Sequence, residues 1–177
     1  MTWMTSTRLP LSAAGGSIHL AAELFRSMSG AQITSVRYKG PAQSLNGLLG
    51  GEVQIMFPNA ALAIPHIATG RLRALGVGTA APSALTPGLP TIASSGVPGY
   101  ESEAMFGLFA PAGTPPAIIQ RLNQEIVRVL NTPEVKDKFL KAGNEVVGSS
   151  ADEFGAIVKS DMAKWAKVIR DAGIQPQ

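Results

Sequence analysis

The feature that most constrains the fold is a regular alternation of amphipathic stretches and short apolar runs across residues 17–77. The amphipathic stretches carry apolar side chains at helical spacing, and the apolar runs have the length of strands. Ser17 is predicted to cap the first helix and Gly30 to end it. Helices and strands are predicted in alternation over 17–29, 33–38, 42–49, 53–57, 60–68 and 72–77. This alternation predicts an α/β fold with a parallel sheet.

The rest of the chain is predicted to be a long connection followed by a helical end. Four prolines and no charged residue occur within 81–99, which indicates an ordered connection. The elements predicted after it are a strand at 105–110, a helix started by Pro115 and Pro116 and capped by Thr114, a helix started by 132–134, a strand at 145–147 and a helix after Ser150. Ser150 and Glu153 have the spacing of a capping box in front of that last helix.

The composition excludes several classes of function. The chain has 177 residues, of which 45% are hydrophobic and 15% charged, as in a folded globular protein. The net charge is +3, and nine of the fifteen basic residues lie between Arg121 and Arg170, interleaved with acidic ones. Such a mixture is typical of solvated helix faces and argues against nucleic-acid binding. The absence of cysteine excludes disulfides, thiolate metal ligands and cysteine nucleophiles.

Few residues have the chemistry that catalysis needs. His19 and His66 are the two histidines, and no other ligand lies at metal-binding spacing from either, so both are interpreted as packed or capping residues. Glu23 and Glu52 are the carboxylates that precede Glu101, which leaves no carboxylate pair for acid–base work. The sequence therefore predicts a protein that is not an enzyme and that uses no metal or cofactor.

The small residues Gly15, Gly16 and Ser17 indicate a different kind of chemistry. They directly precede or open the first predicted helix, where free backbone N–H groups and the helix dipole favour an anion. A carboxylate would suit this position. The alternative interpretation is an ordinary turn with an N-cap, because many connections between a strand and a helix look alike.

Many short motifs in the chain resemble one family, in the same order. The motifs are Ser17 with HLAAELF at 19–25, YKG at 38–40, LLGGEVQIMF at 48–57, PHI at 65–67, GRLRAL at 70–75, LPTI at 89–92, SGVPGY at 95–100, FGLFAPAGTP at 106–115, TPEV at 132–135, and WAKVI and AGI at 165–169 and 172–174. The chain resembles the extracytoplasmic receptors of tripartite tricarboxylate transporters, the Bug-type receptors. It departs from their usual pattern at Ala13, Pro58 and Met105.

The resemblance implies an α/β fold of the periplasmic-binding-protein type II kind, a Venus flytrap of two lobes. It implies that residues 1–11 are an unmatched N-terminal segment and that 12–74 form lobe 2. Residues 75–177 would then form the hinge crossing and the C-terminal part of lobe 1, with the first part of lobe 1 missing. The ligand-binding residues that it implies are Gly15, Gly16, Ser17, Tyr38, Lys39 and Asn59. For Tyr38 and Lys39, support of the turn is an equal alternative.

The function implied by the resemblance is that of a solute-binding receptor. It would bind a small carboxylate or related metabolite and deliver it to the membrane permease subunits of the transporter. The family is periplasmic, but Met1–Pro10 lacks the apolar core and cleavage site of a signal peptide, so the chain as written is expected to stay in the cytoplasm. The alternative function is a truncated, non-binding remnant or an interaction module of the same fold.

Overall fold

The computed structural model of the chain describes residues 7–11 and 16–174. Within these residues two strands pair in parallel, and the other elements are six helices, one of them between the strands, and one short 3-10 turn. The elements are β1 (Thr7–Leu11), α1 (Ser17–Ser29), β2 (Ile33–Arg37), α2 (Pro41–Leu49), α3 (Ala60–Ala68), the turn Ala93–Ser95, α4 (Pro116–Leu130), α5 (Pro133–Lys141) and α6 (Ala151–Asp171). No helix in these described ranges is long and apolar enough to cross a membrane.

The chain forms two compact units. Of the described residues, the larger unit comprises 7–11, 16–104 and 165–174, and the smaller unit comprises 105–164. β1, α1 and β2 make a βαβ arrangement in the larger unit, in which Leu9 of β1 pairs with Ser35 of β2. The predicted division into lobes at residues 12–74 and 75–177 stays a prediction.

The core of the larger unit is small and centred on a few side chains. Leu9, Val53 and Tyr100 are at most 1% exposed. The Tyr100 hydroxyl donates a hydrogen bond of 3.0 Å to the Ala21 carbonyl of α1. Its ring also contacts Phe25, with the ring centroids 6.1 Å apart. These contacts hold α1 against the chain that follows the 3-10 turn.

The helix predictions are confirmed, but two of the predicted caps are wrong. Gly30 ends α1 in the left-handed conformation, at φ 68°, as its lack of a Cβ allows. Ser17 is the first residue of α1 and not its cap, because Gly16 occupies the cap position without a side-chain bond. Pro115, and not Thr114, precedes α4, and the Thr114 hydroxyl donates to the Pro111 carbonyl instead.

The strand predictions are less accurate. The run 33–38 is confirmed as β2, whereas 53–57, 72–77, 105–110 and 145–147 do not form strands. The first of these runs still lies beside β1, because the Gln54 N–H donates to the Arg8 carbonyl at 3.0 Å. In the run 72–77, Val77 forms an isolated β-bridge with Thr91. β1 itself was not predicted, since it lies in the segment that matched no motif.

The capping box before α6 is confirmed in full. The Ser150 N–H donates to Glu153 Oε2 at 2.9 Å, and the Glu153 N–H donates to Ser150 Oγ at 3.2 Å. These reciprocal bonds satisfy two N–H groups that a helix start otherwise leaves unpaired. The Ser150 N–H and the Ser150 hydroxyl both donate to the Glu153 carboxylate, and these bonds hold the pKa of Glu153 below its usual value.

Removal of the Ser150 hydroxyl should therefore destabilise the smaller unit. We expect Ser150→Ala to lower the free energy of unfolding by about 1 kcal/mol, which urea denaturation would measure. Ser160→Ala is the matched control, because this serine is exposed in the middle of α6, where alanine favours the helix. Equal destabilisation by both variants would contradict the capping role.

Candidate functional site

The candidate site is a cavity of about 340 Å³ in the larger unit, at the point where three helices begin. Ile18 is the second residue of α1 and Pro41 is the first residue of α2. Asn59 precedes α3, and Ala61 and Leu62 belong to its first turn. All five of these residues line the cavity. The cavity is thus surrounded by the N-termini of α1, α2 and α3.

The sequence explains why each helix begins here. Gly16 and Gly40 occupy the cap positions of α1 and α2 in extended conformations, at φ −71° and φ 175°. Asn59 caps α3 at φ −65° and ψ 146°. None of these three residues forms a side-chain cap bond in the described structure. The N-terminal N–H groups are therefore not satisfied by cap side chains, and a ligand can accept from them.

The first backbone bonds of the helices show which N–H groups are concerned. In α1 the Leu20 N–H donates to the Gly16 carbonyl, and in α2 the Ser44 N–H donates to the Gly40 carbonyl. In α3 the Leu62 N–H donates to the Asn59 carbonyl. The N–H groups between each cap and these first donors have no acceptor inside their own helix. They belong to residues that line the cavity or lie within two positions of a lining residue; Pro41 itself has no N–H.

The electrostatics of this arrangement favour an anion. Each helix N-terminus carries a partial positive charge from its aligned peptide dipoles, and three such ends surround one cavity. The lining side chains carry no charge, and Asn59 is the polar one among them. Its amide can donate and accept hydrogen bonds. The other lining side chains are aliphatic, so the cavity combines N–H donors with an apolar wall.

The predicted site residues lie at different distances from this cavity. Asn59 lines it, and Gly16 and Ser17 are next to the lining residue Ile18. Gly15 lies outside the described residues. Lys39 precedes the cap of α2, and its backbone N–H donates to Gln43 Oε1 at 3.0 Å. Their assignment to ligand binding stays a prediction.

Tyr38 makes contacts that support the local fold around α2. Its hydroxyl donates to Glu52 Oε2 at 2.9 Å. Its ring lies so close to Gly47 that a Cβ there would be 2.3 Å from the hydroxyl oxygen. Partial burial, and then the Glu52 carboxylate, raise the pKa of Tyr38. These contacts link the end of β2 to α2 and to the chain that follows it.

Four lining residues were not among the predicted site residues, namely Ile18, Pro41, Ala61 and Leu62. Their side chains are aliphatic, so a search for polar chemistry passes over them. The signal that they share is position, because each lies in the first turn of a helix. A search of the sequence for helix starts, and not for side-chain types, would have found them.

His19 is buried in the larger unit beside charged groups. Its Nε2 lies 3.7 Å from Glu23 Oε1, and Glu23 accepts two bonds from Arg26, at 2.7 Å and 2.9 Å. Burial lowers the pKa of His19 below its usual value. The Glu23 carboxylate raises this pKa, and the charges of Arg37 and Arg26 lower it further. The interpretation of His19 as a packed histidine agrees with this environment.

This environment predicts a pH dependence of stability. The folded-state pKa of His19 lies below its ordinary value of 6.5, so the unfolded state takes up the proton first as the pH falls. His19 therefore contributes stability above about pH 6.5 that is lost as the solution becomes more acidic. We expect the free energy of unfolding to fall more steeply from pH 7 to pH 5 in the wild type than in His19→Gln. Parallel curves for the two proteins would contradict this prediction.

Comparisons with known proteins identify the family and the fold of the chain. The chain matches the family described as Tripartite tricarboxylate transporter family receptor (TctC) over residues 11–174. Protein BugT of Bordetella pertussis is 34% identical over 92% of this chain and 50% of BugT. The structure of R. palustris Rpa4515 with adipate is 37% identical, with a TM-score of 0.80 over 97% of this chain and 57% of Rpa4515.

A second solved structure is similar over nearly the same part. MatC from Rhodopseudomonas palustris with bound malate is 25% identical, with a TM-score of 0.73 over 92% of this chain and 56% of MatC. The predicted fold class, the α/β two-lobe fold of periplasmic binding proteins in partial form, is confirmed by Rpa4515 and by the periplasmic binding protein BugD, which is 28% identical with a TM-score of 0.75 over 97% of this chain and 58% of BugD. The chain spans about half the length of the curated relative BugT that it matches. The chain belongs to the family of tripartite tricarboxylate transporter receptors, of the Bug type.

Proposed function

We propose that this chain is the ligand-binding part of a solute receptor and that its ligand is a small carboxylate. The observation that carries the proposal is the convergence of three helix N-termini on one uncharged cavity. A carboxylate accepts hydrogen bonds from several N–H groups at once and is stabilised by the helix dipoles. Rpa4515 is described with adipate and MatC with malate, and both ligands are dicarboxylates, which supports this chemistry.

The lining of the cavity narrows the ligand class further. Ile18, Pro41 and Leu62 offer aliphatic surface and no hydrogen-bond donor from their side chains. A methylene chain would pack on this surface favourably, whereas a ligand hydroxyl placed there would lose its bonds to water. We therefore propose a carboxylate with an aliphatic body, and we expect adipate to bind more tightly than malate.

Thermal unfolding of the 177-residue chain tests the proposal. A ligand that binds the folded form alone stabilises it by about 2.7 kcal/mol at a concentration of one hundred times Kd. Adipate should raise Tm in a saturable manner, and the uncharged diol of the same chain length should not. Equal shifts with adipate and the diol, or no shift with any carboxylate, would contradict the carboxylate site. The latter result would favour the alternative of a non-binding remnant or an interaction module.

The proposal extends to the role of the whole protein. We propose that the whole receptor works in the periplasm and delivers its ligand to the membrane permease subunits of a tripartite transporter. It does so without catalysing a reaction. Membership of the receptor family supports this role. Unchanged adipate after long incubation with the purified chain, followed by chromatography, is the expected result. Any turnover product would contradict the non-catalytic role.

A further inference from the structure

Tyr38 lies in the short connection between β2 and α2. It follows Arg37, the last residue of β2, and Lys39 and Gly40 separate it from Pro41, the first residue of α2. Two intervening residues leave few soft backbone dihedral angles. A contact that fixes Tyr38 against α2 therefore also restricts the direction in which the helix leaves the strand.

Tyr38 is fixed against α2 at two points. Its hydroxyl donates to Glu52 Oε2 at 2.9 Å, beyond the end of the helix. Its ring lies over Gly47 inside the helix, where a Cβ would be 2.3 Å from the hydroxyl oxygen and 2.6 Å from the ring carbon Cζ. A larger residue at position 47 would therefore displace the ring. The two points are joined to each other, because the Glu52 N–H donates to the Gly47 carbonyl at 2.9 Å.

The two residues between Tyr38 and α2 are held as well. The Lys39 N–H donates to Gln43 Oε1 at 3.0 Å, so the third residue of α2 reaches back over the connection. The Gly40 carbonyl accepts from the Ser44 N–H at 3.0 Å and from the Ser44 hydroxyl at 3.1 Å. Ser44 is fully buried. The start of α2 is therefore tied to Tyr38 by an unbroken series of contacts.

The start of α2 offers few hydrogen-bond donors to the cavity, so its position matters. Pro41 lines the cavity and has no N–H group. The Ser44 N–H is already bonded to Gly40. The free donors of α2 are thus the N–H groups of Ala42 and Gln43. They are consecutive in one helical turn, so a rotation of α2 would turn both of them relative to a bound carboxylate.

Two observations separate Tyr38 from the residues that would touch the ligand. It is not among the described residues that line the cavity, although Pro41 is. Its hydroxyl proton is donated to Glu52. We propose that Tyr38 is a positioning residue of the carboxylate site, whose contacts with Gly47 and Glu52 hold the first N–H groups of α2 at the cavity. This inference rests on the proposed carboxylate function.

A double-mutant cycle on Tyr38 and Glu52 tests the hydroxyl contact. Tyr38→Phe removes the donor and keeps the ring. In calorimetric titration it should weaken adipate binding about fivefold, because the start of α2 must then be ordered when the ligand binds. In the Glu52→Ala background the same change should have no effect, since the bond is already absent there. An equal loss in both backgrounds would overturn the inference.

Gly47→Ala tests the ring contact. Alanine favours a helix over glycine, so α2 itself is not weakened, but the new Cβ displaces the Tyr38 ring. We expect adipate to bind at least about fivefold more weakly. Gly155→Ala is the matched control, because it makes the same change inside α6, where the new Cβ meets open space. Its Kd for adipate should equal that of the wild type.

Amide NMR of the ligand-free proteins separates positioning from general destabilisation. In Gly47→Ala, the signals of Ala42 and Gln43 should move, and those of Ile18 and Ala61 should stay in place. If adipate binds the wild type and Gly47→Ala with the same Kd, this inference is overturned and the proposed function stands. An absence of adipate binding by the wild type itself would overturn the proposed function, and the inference with it.

Discussion

Replacement of Tyr100 with alanine is expected to lower the free energy of unfolding of the larger unit by about 3–5 kcal/mol. The side chain is 1% exposed, and its ring forms a cluster with the rings of Phe25 and Phe57, at centroid distances of 6.1 Å and 6.3 Å. Its hydroxyl also bonds to the Ala21 carbonyl. Alanine would remove both the aromatic contacts and this bond, and it would leave a cavity beside α1.

Two controls separate these contributions in urea denaturation. Tyr100→Phe removes the hydroxyl alone and should cost about 1 kcal/mol. Phe106→Ala removes an aromatic ring that is 80% exposed, and it should change stability by less than about 0.5 kcal/mol. A loss below about 1 kcal/mol for Tyr100→Ala would mean that the core does not depend on this residue.

The second large effect is on ligand binding. The substitution Asn59→Asp is expected to weaken the binding of a carboxylate without lowering the stability of the fold. Asn59→Asp keeps the shape of the side chain and adds a negative charge at the N-terminus of α3. Aspartate is a good N-cap, so the variant should be as stable as the wild type or more stable. The same charge repels a carboxylate bound at short range from this side chain. We expect adipate to bind at least tenfold more weakly.

Asn46→Asp is the matched control for this variant. It makes the same chemical change at an exposed position in the second half of α2, away from the cavity lining. Calorimetric titration with adipate should give nearly the wild-type Kd for this control. If both variants weaken binding equally, the effect is one of net charge. If neither weakens it, the carboxylate does not lie at α3.

Helices could be predicted from this sequence because their signals are local. The capping box at Ser150 and Glu153 and the C-terminal Gly30 each act within one helical turn, so the residues that fix the boundary are neighbours in sequence. The predicted N-cap of α1, Ser17, was wrong because glycine and serine are both acceptable N-caps and the two residues are neighbours. The backbone there takes the extended cap conformation at the glycine.

Strands were harder to predict because a strand depends on its partner. Residues 105–110 have the apolar composition of a strand, but among the described residues they form no strand and no backbone hydrogen bond. Conversely, β1 contains Arg8 and Pro10, which weaken the signal of a strand, and it forms through its pairing with β2. Pairing is a long-range property that periodicity in a single segment does not contain.

The sequence indicated one of the residues that line the candidate cavity but not the others. Gly16 and Ser17 led to the expectation of an anion at a helix start, and Asn59 does line the cavity. The convergence of α2 and α3 on the same cavity depends on packing in the larger unit. That packing gives aliphatic residues such as Ile18 a place in the lining, which no side-chain motif indicates.

Amide NMR of the 177-residue chain during titration with adipate tests the central claim most directly. The claim predicts that the backbone N–H signals at the starts of the three helices, including Ile18, Ala42 and Ala61, shift together and fit a single Kd. It also predicts that the uncharged diol of the same length leaves them in place. Shifts confined to other regions, or equal shifts with the diol, would contradict a carboxylate site at the three helix N-termini.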